Sequence, residues 1–185
     1  MMRKHFLFFL ILLIFIPVFA QESPTFQQPV VITSAGQSAG ATMMKVLATR
    51  ANLQFTFEPL IKADNLTNDV KTIIIVVGAS SKGLGAAGLD VNQEKERITG
   101  LLNKAKEIGI KIIVAHIEGQ SRRGKTSDEL SELVVPLADL VIVTKSGNED
   151  NFFTDLCEKQ EKHIVIVDTT SAVQDILKQY FKAGE

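Results

Sequence analysis

Six short runs rich in Val and Ile punctuate the chain: VVITS (30 to 34), LQFTFE (53 to 58), TIIIVVG (72 to 78), KIIVAHI (111 to 117), LVIVT (140 to 144) and HIVIVD (163 to 168). Amphipathic stretches of helical length fill most of the gaps, which is the pattern of successive βα units around a parallel sheet. The strongest helix signal covers 91 to 108, where Ile98, Leu101, Leu102, Ala105 and Ile108 recur at helical spacing, Asp90 and Gln93 can form a capping box, and Gly109 ends it. Thr126 with Glu129, and Ser171 with Gln174, mark two further helix starts. The segment 59 to 70 has the weakest pattern.

Strand composition also ranks positions in the sheet, because a central parallel strand is apolar on both faces whereas an edge strand can alternate. TIIIVVG must be central. LQFTFE sets Leu53, Phe55 and Phe57 against Gln54, Thr56 and Glu58, and reads as an edge. The expectation is a three-layer α/β/α doubly wound sheet of flavodoxin-like order 2-1-3-4-5 with the sixth strand added; order 3-2-1-4-5-6 would put TIIIVVG at an edge.

The N-terminus changes the picture of where this domain works. MMRKH precedes about fifteen mostly apolar residues, FLFFLILLIFIPVFA, with Val18 and Ala20 at the small-residue positions before Gln21. Residues 1–20 are therefore expected to be a cleaved signal peptide, 21–29 a polar leader and 30–185 a single α/β domain, exported to the periplasm or the extracellular space. An uncleaved anchor is the alternative, although the apolar run is shorter than the roughly 20 residues of a membrane span. After cleavage 18 basic groups face 21 acidic ones, a balance that implies neither nucleic-acid binding nor membrane insertion. Cys157, the sole cysteine, cannot form an internal disulfide and reads as a small buried hydrophobe.

In doubly wound sheets ligands bind beyond the carboxyl ends of the strands, near the switch between strands 1 and 3. That edge carries TSAGQSAG, GASSKGLGAAGLD and HIEGQSRRGKTSDE, the Gly-, Ser- and Arg-rich segments of the chain. With GASSKGLGAAG after the third strand, HIEGQSRRG after the fourth and TSAGQS after the first, the chain resembles an exported prokaryotic family described only as a domain of unknown function. The resemblance implies export and a flavodoxin-like or Rossmann-like fold, and no activity.

The chemistry must come from the residues. GQSAG matches the G-x-S-x-G elbow of serine hydrolases, with Ser38 as nucleophile and His116 as the histidine at the right edge. Against it, Ser34 and Ala35 separate strand from elbow, and the upstream strands of an α/β-hydrolase have no room. TSAGQS also resembles the phosphate loop of flavodoxins, with Ala35 where those carry a further Thr. A flavin needs an aromatic platform, and the chain has no Trp and one Tyr, Tyr180, so bound FMN is not expected and no cofactor is assigned. The glycine turn after strand 3 has the wrong spacing for a short-chain dehydrogenase, and Gly83 is followed by Leu84 where a P-loop has Lys. Gly83, Gly85 and Gly88 can supply positive φ or close backbone approach, and Lys82 a cation. Arg122 and Arg123 offer guanidinium forks suited to carboxylate or phosphate; a solvated surface pair is the bland alternative. His116 and Glu118 form no metal-ligand spacing with another His or Cys, and no metal site is assigned. TKSGNED reads as a turn with Asn148 as helix cap.

The reading is a non-catalytic domain binding a small anionic ligand through Ser34, Gly36, Gln37, Ser38, Ser80, Ser81, Lys82, Gly83, Gly85, His116, Arg122 and Arg123. Arg122 and Arg123 are expected to reach over the strand 3 loop toward the strand 1 turn. The alternatives are a hydrolase using Ser38 or His116, and an accessory module whose glycine loops bind an envelope protein partner.

Overall fold

A computed structural model of the chain describes residues 24–181. The expected signal peptide and its cleavage point at Gln21 lie outside the described residues. Six parallel strands form one sheet in the order β2-β1-β3-β4-β5-β6: β1 (Val30–Ala35), β2 (Phe55–Phe57), β3 (Thr72–Val77), β4 (Lys111–His116), β5 (Leu140–Thr144) and β6 (Ile164–Val167). Every residue of β1 and β3 is buried. The fold is the three-layer α/β sandwich of flavodoxin-like order that the strand compositions imply, with TIIIVV central and the alternating FTF of β2 at an edge.

Strand alternation divides the apolar residues between two cores. On one face Ile73, Ile75 and Val77 pack under helices α3 (Val91–Glu107), α4 (Lys125–Val134) and α5 (Phe152–Lys159) through Leu101, Leu130, Val134 and Phe153. On the other, Ile32, Ile74 and Val76 meet α1 (Gly40–Arg50) and α6 (Val173–Tyr180) through Met44, Leu47, Val173 and Leu177. Each fully buried Ile or Leu contributes roughly 1.5–3 kcal/mol relative to exposure, so the two layers together lock the sheet.

Local chemistry sets both ends of α3. Asp90 and Gln93 form the expected capping box over α3, with Gln93 N donating to Asp90 Oδ1 at 2.8 Å and Asp90 N to Gln93 Oε1 at 2.9 Å, and Gly109 turns the chain away at φ +74°. Two expected caps do not form. Helix α4 starts one residue after Gly124, whose φ of +133° reverses the chain without a side-chain cap, leaving Thr126 inside the first turn. Ser171 lies in a 3-10 turn that runs straight into α6, whose start has no side-chain cap either.

Residues 59 to 70 carry no α-helix, only a 3-10 turn at Ala63–Asn65 with Ile61, Leu66 and Val70 tucked under it. Pro59 and the Asp, Asn and Thr side chains there favour turns. The segment GASSKGLGA holds an unexpected short helix, α2 (Ser81–Ala86), capped by Ser80. The leader also differs from expectation at its end. Phe26 is buried against Tyr180 and Phe181, and its N–H donates to the Tyr180 carbonyl at 3.0 Å.

Candidate functional site

The turn after β1 is built on backbone that only glycine accepts easily. Gly36 sits at φ +104°, and a Cβ there would lie 2.5 Å from the Gly78 carbonyl oxygen. The turn is fastened to the β3 loop on both sides, since Gly78 N donates to Ala35 O at 2.9 Å and Ser80 N to Gly36 O at 2.8 Å. Ser34 is buried, and its hydroxyl accepts the Gln37 N–H at 3.0 Å.

A fully buried carboxylate, Glu94 of α3, anchors this turn. Its Oε1 accepts the Gly36 N–H at 2.8 Å and the Gln37 side-chain amide at 3.0 Å. Arg97 neutralises it through two 2.8 Å contacts, Nε to Oε2 and Nη2 to Oε1. The same guanidinium donates to Ser34 O at 2.6 Å and Ile61 O at 2.8 Å. A buried ion pair of this kind holds only when geometry is good and the remaining donors are matched, as they are here.

A second internal carboxylate faces the start of α1. Ser38 donates its hydroxyl hydrogen to Glu118 Oε2 and accepts the Gly40 N–H at 3.4 Å. Two glycines make room for it: a Cβ on Gly40 would lie 2.7 Å from Glu118 Oε2, and one on Gly78 would lie 2.8 Å from Ser38 Oγ. Negative charge is favoured at a helix N-terminus. Glu118 therefore stands where an external anion would approach α1, and the Gly36 and Gln37 amides already have internal acceptors.

Arg122 joins this cluster at its outer side. Its Nε donates to Glu118 Oε1 at 3.2 Å and its Nη1 makes a long 3.5 Å contact with Ala79 O. The side chain is 34 % exposed, and its Nη2 has no acceptor among the described residues. Arg123 has a different position. Its side chain is 6 % exposed, donates to Asp128 at 2.7 and 3.2 Å, to Asp150 at 2.8 and 3.0 Å and to Gly147 O at 2.8 Å, and lies over the Phe152 ring. Burial opposes its charge, yet the bonds to Asp128 and Asp150 outweigh that and raise its pKa. Asp150 is held below the usual carboxylate range by Arg123.

His116 is buried beneath the edge, with Nδ1 3.1 Å from Val77 O, Nε2 3.2 Å from Gly119 O and its ring stacked on Phe153. Burial lowers its pKa, against the pull of those two carbonyls. Both ring nitrogens thus engage backbone, and neither engages Ser38. Ser81 and Lys82 are exposed in the first turn of α2, while the Ser80 hydroxyl accepts the Gly83 N–H at 3.1 Å. Gly83 is helical; a Cβ on it would overlap the Gln37 carbonyl. Gly85 is in open space and only Gly88 of the three has positive φ. Asn148 accepts the Phe153 and Thr154 N–H groups at the start of α5, but the N-cap position expected for it is taken by Asn151, in the left-handed conformation. No group of three or more His, Cys, Asp or Glu side chains among the described residues is arranged to hold a metal ion.

Sequence reasoning missed Glu94 and Arg97, and left Glu118 without a role. A signal for Glu94 exists: it sits one turn before Ile98 on the stripe that continues through Leu101 and Ala105, so an acid occupies the apolar face of α3.

Residues 27–181 match the model of a domain of unknown function, DUF6305. The chain belongs to that family. No curated protein matches it. Among solved structures, the chain is similar to AlinE4, an SGNH-hydrolase family esterase, at 11 % identity over 90 % of this chain and 87 % of that one, with a TM-score of 0.31. A serine-to-alanine mutant of that esterase gives 9 % identity and an aspartate-to-alanine mutant 12 %, over the same shares and at the same TM-score. Likeness at that level carries no inference about what this DUF6305 member does. No helix among its described residues is long and apolar enough to cross a membrane.

Proposed function

We propose that this DUF6305 domain acts after export and binds a small anionic group, of carboxylate or phosphate type, without covalent chemistry, and that Arg122 is its anchor. The observation that carries this reading is the half-open guanidinium of Arg122 at the carboxyl edge. One side of it rests on Glu118 and the other has a donor without an acceptor among the described residues. An anion approaching there meets a planar fork suited to two oxygens. Ser38 serves as a hydroxyl beside Glu118, not as a nucleophile, because no histidine nitrogen among the described residues is in contact with it to take its proton. Ser80, Ser81 and Lys82 form the neighbouring rim. Arg123 holds the α4 and α5 starts together and is left out of the site.

A thermal-shift screen of carboxylates, inorganic phosphate and phosphate esters tests it, since a ligand of the folded state stabilises by mass action. Against a compound found in this way, Arg122→Ala and Arg122→Lys should each lose affinity by roughly 10- to 150-fold, the equivalent of one charge-assisted hydrogen bond, with little change in the ligand-free melting temperature. Arg123→Ala should instead lower the melting temperature whether or not the compound is present. Equal affinity in wild type and Arg122→Ala, or no stabilisation by any anion, refutes the site. Specific labelling of Ser38 by a fluorophosphonate probe would turn the reading toward a hydrolase.

A further inference from the structure

The sheet ends in two unlike edges. β2 is three residues long, exposes Thr56 at its centre and runs into Pro59, features that discourage pairing with another strand. β6 has none of these. It reads Ile-Val-Ile-Val, and Ile166 is 47 % exposed on it.

The register fixes which backbone groups are free. Val141 is aligned with Ile164, and its N–H donates to the His163 carbonyl at 2.8 Å. In a parallel ladder that assigns His163, Val165 and Val167 to bonding with β5, so the N–H and C=O of Ile164 and Ile166 point away from the sheet. Lys162 and Asp168 flank the strand at equal distance from Val165. Neither has an ion-pair partner among the described residues.

We propose that β6 is a homodimerisation strand. Two copies pair antiparallel, edge to edge, about a twofold axis at Val165, joining two six-stranded sheets into one. In this register Ile164 meets Ile166 of the second copy through their outward backbone groups, and Lys162 lies alongside Asp168 of the second copy, twice per dimer. Sliding by one hydrogen-bonded pair in either direction sets an isoleucine against a charge. The strand is thus complementary to itself in both apolar and charged positions, which is what an isologous contact requires.

Sedimentation analysis of protein expressed from the full 185-residue sequence tests this. A dimer is expected for wild type. Lys162→Asp and Asp168→Lys should each weaken it at least tenfold by facing like charges across the axis, and the double variant should recover wild-type association within about threefold. Ile166→Lys should give a monomer with the wild-type far-UV circular dichroism spectrum. In a Cys157→Ala background, Val165→Cys should oxidise to a disulfide-linked dimer, because the residue at the axis faces its own copy as a non-hydrogen-bonded pair. A wild-type monomer up to about 100 µM overturns the proposal. So does a dimer indifferent to Ile166→Lys, or one that the charge swap does not restore.

Discussion

Replacing Glu94 by Gln removes one charge and almost no volume, yet the geometry makes it a severe change. Glu94 Oε1 receives three donors, from Gly36, Gln37 and Arg97, and Oε2 receives Arg97 Nε. Whichever way the new amide turns, its NH2 faces a donor, and the buried guanidinium loses its counter-ion. Breaking a buried, hydrogen-bonded pair on one side costs about 3–5 kcal/mol, a large fraction of the ~5–15 kcal/mol that a domain has. For a chain of this size the melting temperature should fall by roughly 6–20 °C. Urea unfolding of Glu94→Gln, and of Glu94→Met, Arg97→Met and those two combined, completes the test. The double variant should lose clearly less than the sum of the single ones, since the lone buried charge is then gone, although Gly36 N and Ser34 O stay unpaired. Glu94→Gln within about 1 kcal/mol of wild type, or additivity of the pair, refutes the assignment of Glu94 as the anchor of the β1 turn.

His116 makes stability depend on pH in a definite direction. Burial lowers its folded pKa below the ordinary value near 6.5, so the unfolded chain takes up its proton first as pH falls. The contribution is complete above about pH 6.5 and is lost toward the lowered folded pKa, with a slope of at most ~1.4 kcal/mol per pH unit. Between about pH 7 and 5 wild type should lose stability that His116→Gln does not, and parallel curves from chemical denaturation would refute it. Cys157, 1 % exposed with its thiol pushed up to about 11 by burial, should resist a chromogenic disulfide reagent at mildly alkaline pH until denaturant is added. Prompt labelling of the folded chain counts against that burial.

Sheet order was legible because a strand's place is written in its two faces: TIIIVV admits only the interior and FTF only a margin. The site was legible as a region, since glycine and serine collect where three loops meet, but not residue by residue. Gly83 and Gly85 argue against a helix by propensity, yet α2 forms because Gly83 lets the helix approach the Gln37 carbonyl. Arg122 and Arg123 are adjacent and chemically identical, and what separates them is Asp150, 27 positions away from Arg123. Glu94 and Arg97, three apart on a helix, look like any surface pair until the turn that they hold comes to rest on them.

The bond from the Gly36 amide to Glu94 spans 58 positions, and it sets an order of events for the newborn chain. β1 is the first strand to leave the ribosome or a translocation pore, and both of its sheet neighbours, β2 and β3, come later. Until α3 emerges, the glycine turn lacks the carboxylate that accepts its amide and one face of β1 lacks its helical cover, so a fully buried strand is made first and completed late. A truncated nascent chain ending before Glu94 should therefore stay open to proteases at residues 30 to 40, and one extended past the end of α3 should begin to resist them.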